Sequence, residues 1–424
     1  MKRASRVALL ALGVALSIAA PAAAAESGPR FERGIGVTAM AWAAVEPDTK
    51  AFTFPPYVGP SYTLTPGELQ ALRRTGFDFV RLAVDPGPFL QFRGTRRAAV
   101  DRMLTERVQL IRASGLGVIV DFHPSDMHPD YTAQALTAGL QTPIFQSYLQ
   151  LIRDAAALLG QLHAKRVALE LMNEPPIAAG LWQPMLQAAY SAARAGSPDL
   201  PLILEGGDEA SAAALMKMKT TPFAADPAVR YVFHYYDPYQ FTHQGASWNA
   251  ARYLADVPYP ARARPLDDSL TATAATIAAL KLSAPEKSLA YEDARTRLEG
   301  YRASGFDAGA ITKAFARIAD WARSQGIPPD RVMLGEFGAR QTALQSAGAR
   351  ARERTQWFHD VSAAAEASGF GWAVWAYRSA GGFGLARSDG DDDIQPDIAE
   401  ALRLNAGAHQ RDTGSATHAA RPMP

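Results

Sequence analysis

Two glutamates in this 424-residue sequence directly follow short apolar stretches of the kind that form buried strands. The first stretch begins at Arg166 and ends at Asn173-Glu174-Pro175-Pro176, where two prolines cannot continue a central strand. The second begins at Arg331 and reaches Glu336. Because an asparagine before Glu-Pro is also an ordinary helix cap, the first motif alone is weak. Together the two motifs predict a pair of carboxylates at the C-terminal ends of two strands.

The surrounding sequence repeats one pattern, a helix closed by glycine and followed by a strand. It predicts eight strands alternating with eight helices over residues 26–404. Strands joined by helical crossovers are parallel, and eight such units close a (β/α)8 barrel. The predicted fold is therefore an α/β TIM barrel in one domain. A doubly wound open sheet is the alternative, but no glycine-rich dinucleotide loop follows the first strand, 34–40.

One predicted connection, residues 237–308 between strand six and its helix, is much longer than the others. It contains several prolines and one short helical pattern near residues 271–282. Because it leaves the C-terminal end of a strand, where barrels carry their sites, we expect it to border a substrate cleft. A passive surface insertion is the alternative.

Charged and aromatic residues recur at the C-terminal ends of the predicted strands. Besides Asn173-Glu174 and Glu336, these residues are Arg81, Asp121, His123, His234, Tyr236 and Trp375. A single buried histidine or arginine is usually a satisfied core residue. In a barrel, however, these ends converge on one mouth, so the set predicts one functional site.

Two carboxyl groups that face each other across a barrel mouth suit the hydrolysis of a glycosidic bond. One group protonates the leaving oxygen, and the other attacks or stabilises the anomeric carbon. A nearby carboxylate also disfavours a second negative charge, so we expect the charge of Glu336 to raise the pKa of Glu174.

These motifs resemble glycoside hydrolase family 5, the cellulase family of retaining barrels, over residues 34–404. The resemblance implies that Glu174 in Asn-Glu-Pro is the acid/base and Glu336 the nucleophile. It also implies that six further residues bind substrate or support the pair: Arg81, His123, Asn173, His234, Tyr236 and Trp375. The run 233–239 is especially similar to the strand-six motif of that family. In the roles so implied, Arg81 and Tyr236 hold Glu336, and Trp375 stacks under the sugar.

The sequence departs from the family after strand five, where it reads Gly206-Gly-Asp-Glu-Ala210 in place of a Trp-Asn-like element. This difference concerns the sugar subsites and leaves the carboxylate pair intact. Trp42, Trp182, Trp248 and Tyr239 are candidates for outer sugar platforms, with simple packing as the alternative for each.

The resulting prediction is a retaining endo-β-glycosidase that hydrolyses a β-linked glucan, with β-1,4-glucan as the first choice. The alternatives are β-mannan, β-1,3- or mixed-linkage glucan, and an exopolysaccharide. A sugar-binding barrel without catalysis is the non-enzyme alternative. Such a barrel has no need to keep both glutamates and their supporting residues.

Composition excludes several kinds of partner, cross-link and metal site. The net charge of +1 argues against a nucleic-acid partner, and the absence of cysteine excludes disulfides and thiolate metal sites. The acidic run Asp389, Asp391, Asp393 and Glu400 has calcium-loop spacing but carries Ile394 where glycine is needed. We therefore expect no metal, no cofactor and a monomer whose partner is a poly- or oligosaccharide.

The two ends of the chain are predicted to lie outside the fold. Basic residues, an apolar run and small residues up to Ala25 form the pattern of a secretory signal peptide, residues 1–25. The apolar run is too short to span a membrane, so we expect cleavage near Ala25 and a secreted or periplasmic protein without a membrane segment. Residues 405–424 are predicted to be a disordered tail.

Overall fold

The computed structural model of the protein describes residues 30–341, 348–378, 381–386 and 393–404. The predicted signal peptide, the predicted tail, Asp389 and Asp391 lie outside the described residues.

The core is a closed barrel of parallel strands that pair in sequence order, with the eighth strand returning to the first. The prediction of a (β/α)8 TIM barrel is confirmed. The strands are β1 Arg33–Met40, β2 Phe79–Val84, β3 Gly117–Phe122, β4 Val167–Glu170, β5 Leu202–Glu205, β6 Val229–His234, β7 Val332–Glu336 and β8 Gly371–Val374.

Helices cover the outside of the barrel and fill its connections. They are α1 Pro66–Thr75, α2 Gly87–Gln91, α3 Gly94–Ala113, α4 Ala133–Leu136, α5 Pro143–Gly160, α6 Ala179–Gly196, α7 Gly207–Ala210, α8 Ala212–Lys217, α9 Tyr239–Thr242, α10 Leu266–Ala278, α11 Ala284–Ser304, α12 Ala308–Ser324, α13 Ala351–Ala367 and α14 Pro396–Ala401. Within the described residues, none of them combines the length and apolar character that a membrane span requires.

Local sequence explains where these elements begin and end. Thr65 and Glu68 form a capping box at the start of α1, and Gly76 ends the helix with φ of 117°. Strands β2 to β7 are buried along their whole length, as strands in a parallel sheet covered by helices must be.

The barrel interior has an apolar lower layer and a charged upper layer. One cluster of the lower layer consists of Phe31, Phe79, Ile119, Ala168, Ile203, Val232, Met333 and Ala373. Two positions further along β2 to β6 stand Arg81, Asp121, Glu170, Glu205 and His234, all buried. Residues two apart in a strand point to the same side, so this charged set also faces inward, directly below the C-terminal mouth.

The long connection after β6 differs from its prediction. Instead of one short helix near 271–282 it contains α10 and α11, which form a helical hairpin. The signal for the second helix was present in the sequence, because Ser283 and Glu286 form its capping box. Hydrogen bonds of 2.8 Å from Tyr259 to Asp360 and from Arg264 to Glu353 fasten the connection beside this hairpin to α13.

Candidate active site

Arg81 occupies the centre of the mouth and is completely buried. Its Nε and Nη2 donate to the two carboxylate oxygens of Glu170 at 2.7 and 3.1 Å. Nη1 donates to Oε1 of Glu336 at 2.5 Å, and Nη2 to Oδ1 of Asn173 at 2.9 Å. Nη2 also lies 3.1 Å from Oδ2 of Asp121. One guanidinium thus compensates several buried carboxylates, and it fixes the orientation of Glu336.

The other carboxylate oxygen of Glu336 also accepts a hydrogen bond. The hydroxyl of Tyr236 donates to Oε2 of Glu336 at 2.8 Å. The predicted support of Glu336 by Arg81 and Tyr236 is present in the structure. The sequence predicts a strand over residues 231–236, but β6 ends at His234, so Tyr236 lies just beyond the strand.

Glu174 lies four residues beyond the end of β4 and faces Glu336 across the mouth. A carboxylate oxygen of each glutamate and a ring nitrogen of His234 all lie within 4.8 Å of one another. Retaining glycosidases hold their two carboxyl groups about 5–5.5 Å apart, and inverting ones about 6.5–9.5 Å. The close approach of the two carboxylates favours the retaining class.

His234 is the main partner of Glu174. Its Nδ1 lies 2.7 Å from Oε1 of Glu174, and its Nε2 lies 3.0 Å from Oε1 of Glu205. Burial lowers the pKa of His234, but the charges of Glu205 and Glu336 and the hydrogen bond to Glu174 raise it well above its usual range. The ring is therefore a cation next to Glu174. Gly335 makes room for it, since a Cβ there would lie 2.9 Å from Nε2 of His234.

The expected rise in the pKa of Glu174 is wrong. Burial does raise it, but the hydrogen bond and charge of His234, with the charges of His123 and Arg81, outweigh burial and lower the pKa below its usual range. That expectation rested on the negative neighbour Glu336, whereas the charge in direct contact with Glu174 is the cation of His234, 2.7 Å away.

His123, Asn173 and Trp375 complete the predicted set on the other side of the mouth. Nδ1 of His123 bonds to Oδ2 of Asp121 at 2.9 Å, and its ring stacks on Trp375 with 5.4 Å between centroids. Nδ2 of Asn173 lies 3.4 Å from Nε2 of His123. Burial lowers the pKa of His123, but the charge and hydrogen bond of Asp121 raise it above its usual value. All eight residues predicted for the site are brought together at the mouth.

Sequence reasoning missed two buried carboxyl groups beneath the mouth, Glu170 and Glu205. Glu170 pairs with Arg81, while Glu205 contacts both Glu174 and His234. The signal that could have found them is their position. Each ends a strand whose preceding residues are apolar, and each stands two places after a residue of the lower interior layer.

Two groups of three side chains in the described residues are close enough to offer ligands to a cation: Glu170, Glu205 and His234, and Glu174, His234 and Glu336. The cationic Arg81 and His234 already compensate carboxylates in these groups. The expectation that the protein needs no metal stays a prediction.

An open cavity of about 1130 Å³ extends from the two glutamates across the mouth. Trp42, Tyr239 and Trp248 line it and are 38, 42 and 57% exposed, as sugar platforms would be. Trp182 is only 1% exposed and donates from Nε1 to the backbone oxygen of Glu205, so it is a packing residue. The long connection lines the cavity through residues between 237 and 249, which leaves the α10–α11 hairpin away from it.

Fold and site together define a glycoside hydrolase of the (β/α)8-barrel type. A family description, cellulase (glycosyl hydrolase family 5), matches residues 45–381. The chain belongs to this family, and the resemblance inferred from its motifs is confirmed.

Among characterised proteins, Endoglucanase 3 of Fibrobacter succinogenes is 24% identical over 299 residues, covering 66% of this chain and 41% of that protein. The chain therefore matches less than half of the length of this relative. The cellulose synthase subunit Z of Clostridioides difficile has a TM-score of 0.61 at 19% identity, covering 88% of this chain and 99% of that one. Cel5A of Thermotoga maritima with mannotriose has a TM-score of 0.61 at 18% identity, covering 89 and 99%, and was also solved with cellobiose. At such identities the structural similarity concerns the fold.

Proposed function

We propose that this chain is an exported, monomeric, retaining endo-β-glycosidase that hydrolyses a β-linked glucan, with β-1,4-glucan as its substrate. The observation that carries the proposal is that the two facing glutamates are held by different hydrogen-bond partners. Glu336 is held by Arg81 and Tyr236, while Glu174 is held by His234 and is a third exposed to the cleft.

The two different supports favour two different chemical roles. Glu336, oriented by Arg81 and Tyr236, attacks the anomeric carbon and forms the glycosyl–enzyme bond. Glu174 gives its proton to the glycosidic oxygen as the glycosidic bond breaks. It then takes a proton from the water that attacks the glycosyl–enzyme intermediate and releases the sugar. A bound sugar covers the exposed part of Glu174, and this loss of water favours the protonated acid that the first step requires.

The open cleft and its aromatic residues suit an extended chain of sugars bound along the mouth. The name of Endoglucanase 3 and the cellobiose complex of Cel5A support a glucan. The mannotriose complex of the same Cel5A makes β-mannan the second candidate. Purified protein incubated with carboxymethyl cellulose, lichenan, laminarin and mannan, with sizing of the products, decides between them. Release of only mono- or disaccharides would contradict endo action.

The roles are tested by substitution. We expect Glu336→Ala to abolish turnover of every substrate. Glu174→Ala should lose activity on natural glycans, which need an acid, but should still be glycosylated by aryl glycosides with good leaving groups. Azide should then release the sugar as a β-glycosyl azide. Glu299→Ala, on the exposed face of α11, is the matched control and should behave as the unmodified protein.

Two outcomes would contradict these assignments. If Glu174→Ala loses activated and natural substrates equally in the first step, it is not the acid/base. If the unmodified protein binds oligosaccharides without cleaving any of them, the chain is a binding barrel. Expression of the full chain, followed by N-terminal sequencing of the exported product, tests the proposed cleavage near Ala25.

A further inference from the structure

Glu205 ends β5 and lies directly behind Glu174, with 2% of its surface exposed. Its Oε2 accepts a hydrogen bond of 2.6 Å from the backbone N–H of Glu174. Its Oε1 lies 3.0 Å from Nε2 of His234, whose Nδ1 lies 2.7 Å from the carboxylate of Glu174. Glu205 therefore contacts the main chain of Glu174 directly and its side chain through one ring.

The backbone of Glu174 needs such support. Its φ is 45°, in the left-handed region that a residue with a Cβ rarely adopts. A residue in this conformation stays there only when its surroundings hold it. The hydrogen bond that Glu205 accepts engages the single main-chain N–H of this residue.

The turn after Glu205 holds the segment after Glu174 as well. The N–H of Asp208 donates to the oxygen of Ile177 at 2.8 Å, and the N–H of Glu209 donates to the oxygen of Pro175 at 3.1 Å. Asp208 and Glu209 are themselves left-handed, with φ of 49° and 56°. The departure from the family pattern after strand five thus forms a backbone support for the Glu174 loop.

The buried surroundings of Glu205 disfavour a negative charge on its carboxyl group. It shares its buried environment with Glu170, which Arg81 keeps ionised through two hydrogen bonds. Burial raises the pKa of Glu205 well above its usual range; the charge of His234 opposes this rise and the charge of Glu170 adds to it. The charge of Glu170 thus makes a second negative charge at Glu205 less favourable, and the acceptor role of Glu205 towards Glu174 does not require that charge.

We propose that Glu205 is a positioning residue for the reaction. It accepts the backbone hydrogen bond that keeps Glu174 in its left-handed conformation, and so places the acid/base at the glycosidic oxygen. This inference rests on the proposed role of Glu174 as the acid/base. Glu205 itself touches no substrate, and its effect falls on the proton-transfer part of catalysis.

The test compares two variants on two substrates. Glu205→Leu removes the acceptor, so we expect kcat/KM to fall at least about 10-fold for a phenyl cellobioside, which needs an acid. For a dinitrophenyl cellobioside, which needs none, it should fall less than about 2-fold, because general acid catalysis contributes about 10²–10⁴. Glu205→Gln keeps an acceptor and resembles the protonated acid, so it should restore both substrates to within about 3-fold.

A second variant acts on the same support from the backbone. A Cβ at Gly207 would lie 2.3 Å from the oxygen of Ile177, so Gly207→Ala should push the turn away and produce the same leaving-group dependence. Asp226→Asn is the structural control. It removes a partly buried ion pair with Arg194 at the opposite end of the barrel, and should lower stability without changing the ratio of the two substrates.

Equal losses on both substrates in Glu205→Leu, or a Glu205→Gln as impaired as Glu205→Leu, would overturn the proposal. If Glu205→Leu does not fold, Gly207→Ala and Glu205→Gln decide. A Gly207→Ala without leaving-group dependence would then refute it. Glu174→Ala measured in parallel separates the two hypotheses, because its failure to show the same dependence would refute the acid/base assignment itself.

Discussion

Replacing Arg81 by methionine should destabilise the barrel far more than an ordinary ion pair would suggest. The side chain is completely buried and makes four hydrogen bonds, three of them to the carboxylates of Glu170 and Glu336. Removing one partner of a buried pair leaves an uncompensated charge, which costs about 3–5 kcal/mol. We expect a loss of that size in the free energy of unfolding at neutral pH.

A matched pair on the surface gives the comparison. Arg297 bonds to Asp293 at 2.8 Å on α11, close to the 2.7 Å between Arg81 and Glu170, but both surface side chains are largely exposed. Exposed helix pairs of this kind contribute about 0.3–0.5 kcal/mol. Arg297→Met should therefore be nearly neutral, and the difference between the two variants measures the effect of burial.

The pH dependence of the Arg81→Met effect has a definite sign. Burial raises the pKa of Glu170, but the charge of Arg81 and hydrogen bonds from Glu205 and Arg81 lower it below its usual value. A lowered pKa stabilises the fold above the unfolded pKa, and this contribution is lost as pH falls through the folded pKa. In Arg81→Met burial loses its strongest opposing contribution, so the folded pKa of Glu170 rises and the fold is destabilised as pH increases through it. The gap between the two proteins should narrow from neutral pH to about pH 4.5.

Urea unfolding followed by tryptophan fluorescence measures this gap at both pH values, from midpoints and slopes. An Arg81→Met within about 1 kcal/mol of the parent protein at neutral pH would refute the ionised network, since the expected loss is about 3–5 kcal/mol. A gap that widens at acid pH would refute the sign.

Three further outcomes are expected. His234→Gln removes the cation that lowers the pKa of Glu174, so the basic limb of the kcat/KM profile should move to higher pH; an unmoved or lower limb would contradict the pairing. Residues 266–304 can be replaced by a short linker, because the N–H of Ala261 donates to the oxygen of Phe306 at 2.9 Å and holds the flanking segments together. This replacement should leave the ratio of KM for long and short oligosaccharides unchanged, because the hairpin does not line the cavity. A rise in KM for long oligosaccharides alone would show that the hairpin borders the substrate cleft, as the sequence had led us to expect. Asp226→Asn should lower the urea midpoint at neutral pH, with a penalty that shrinks as pH falls, because bonds from Arg194 and Tyr190 outweigh burial and lower the pKa of Asp226; a penalty that grows in acid would contradict this.

The sequence by itself determined the barrel and the position of its site. The alternation of helices, glycines and apolar strands repeats along the chain, and local chemistry such as the capping box of Thr65 and Glu68 sets where elements begin. The C-terminal ends of parallel strands must meet at one mouth, so Glu174 and Glu336 could be paired although they lie far apart in sequence.

The sequence was less reliable where local patterns compete. In the long connection only one short helix near 271–282 was predicted, because its several prolines favoured a loop. The Ser283–Glu286 capping box, a local signal for the second helix, was overlooked. Its expected place beside the cleft holds only for its first part, residues between 237 and 249. The sequence could not show that the α10–α11 hairpin lies away from the cavity, because contacts of Tyr259 and Arg264 with α13, about 100 positions further along the chain, hold the segment before it.

Only the tertiary structure decided how the two glutamates are held and charged. His234 lies 60 residues from Glu174 in sequence and 2.7 Å from it in space, and this distance reverses the expected pKa shift. Glu205 reads in the sequence as the polar end of a strand, and only closure of the barrel places it 2.6 Å from the backbone of Glu174. A pKa depends on burial and on the nearest charges, which are properties of the folded barrel and of no single segment of the chain.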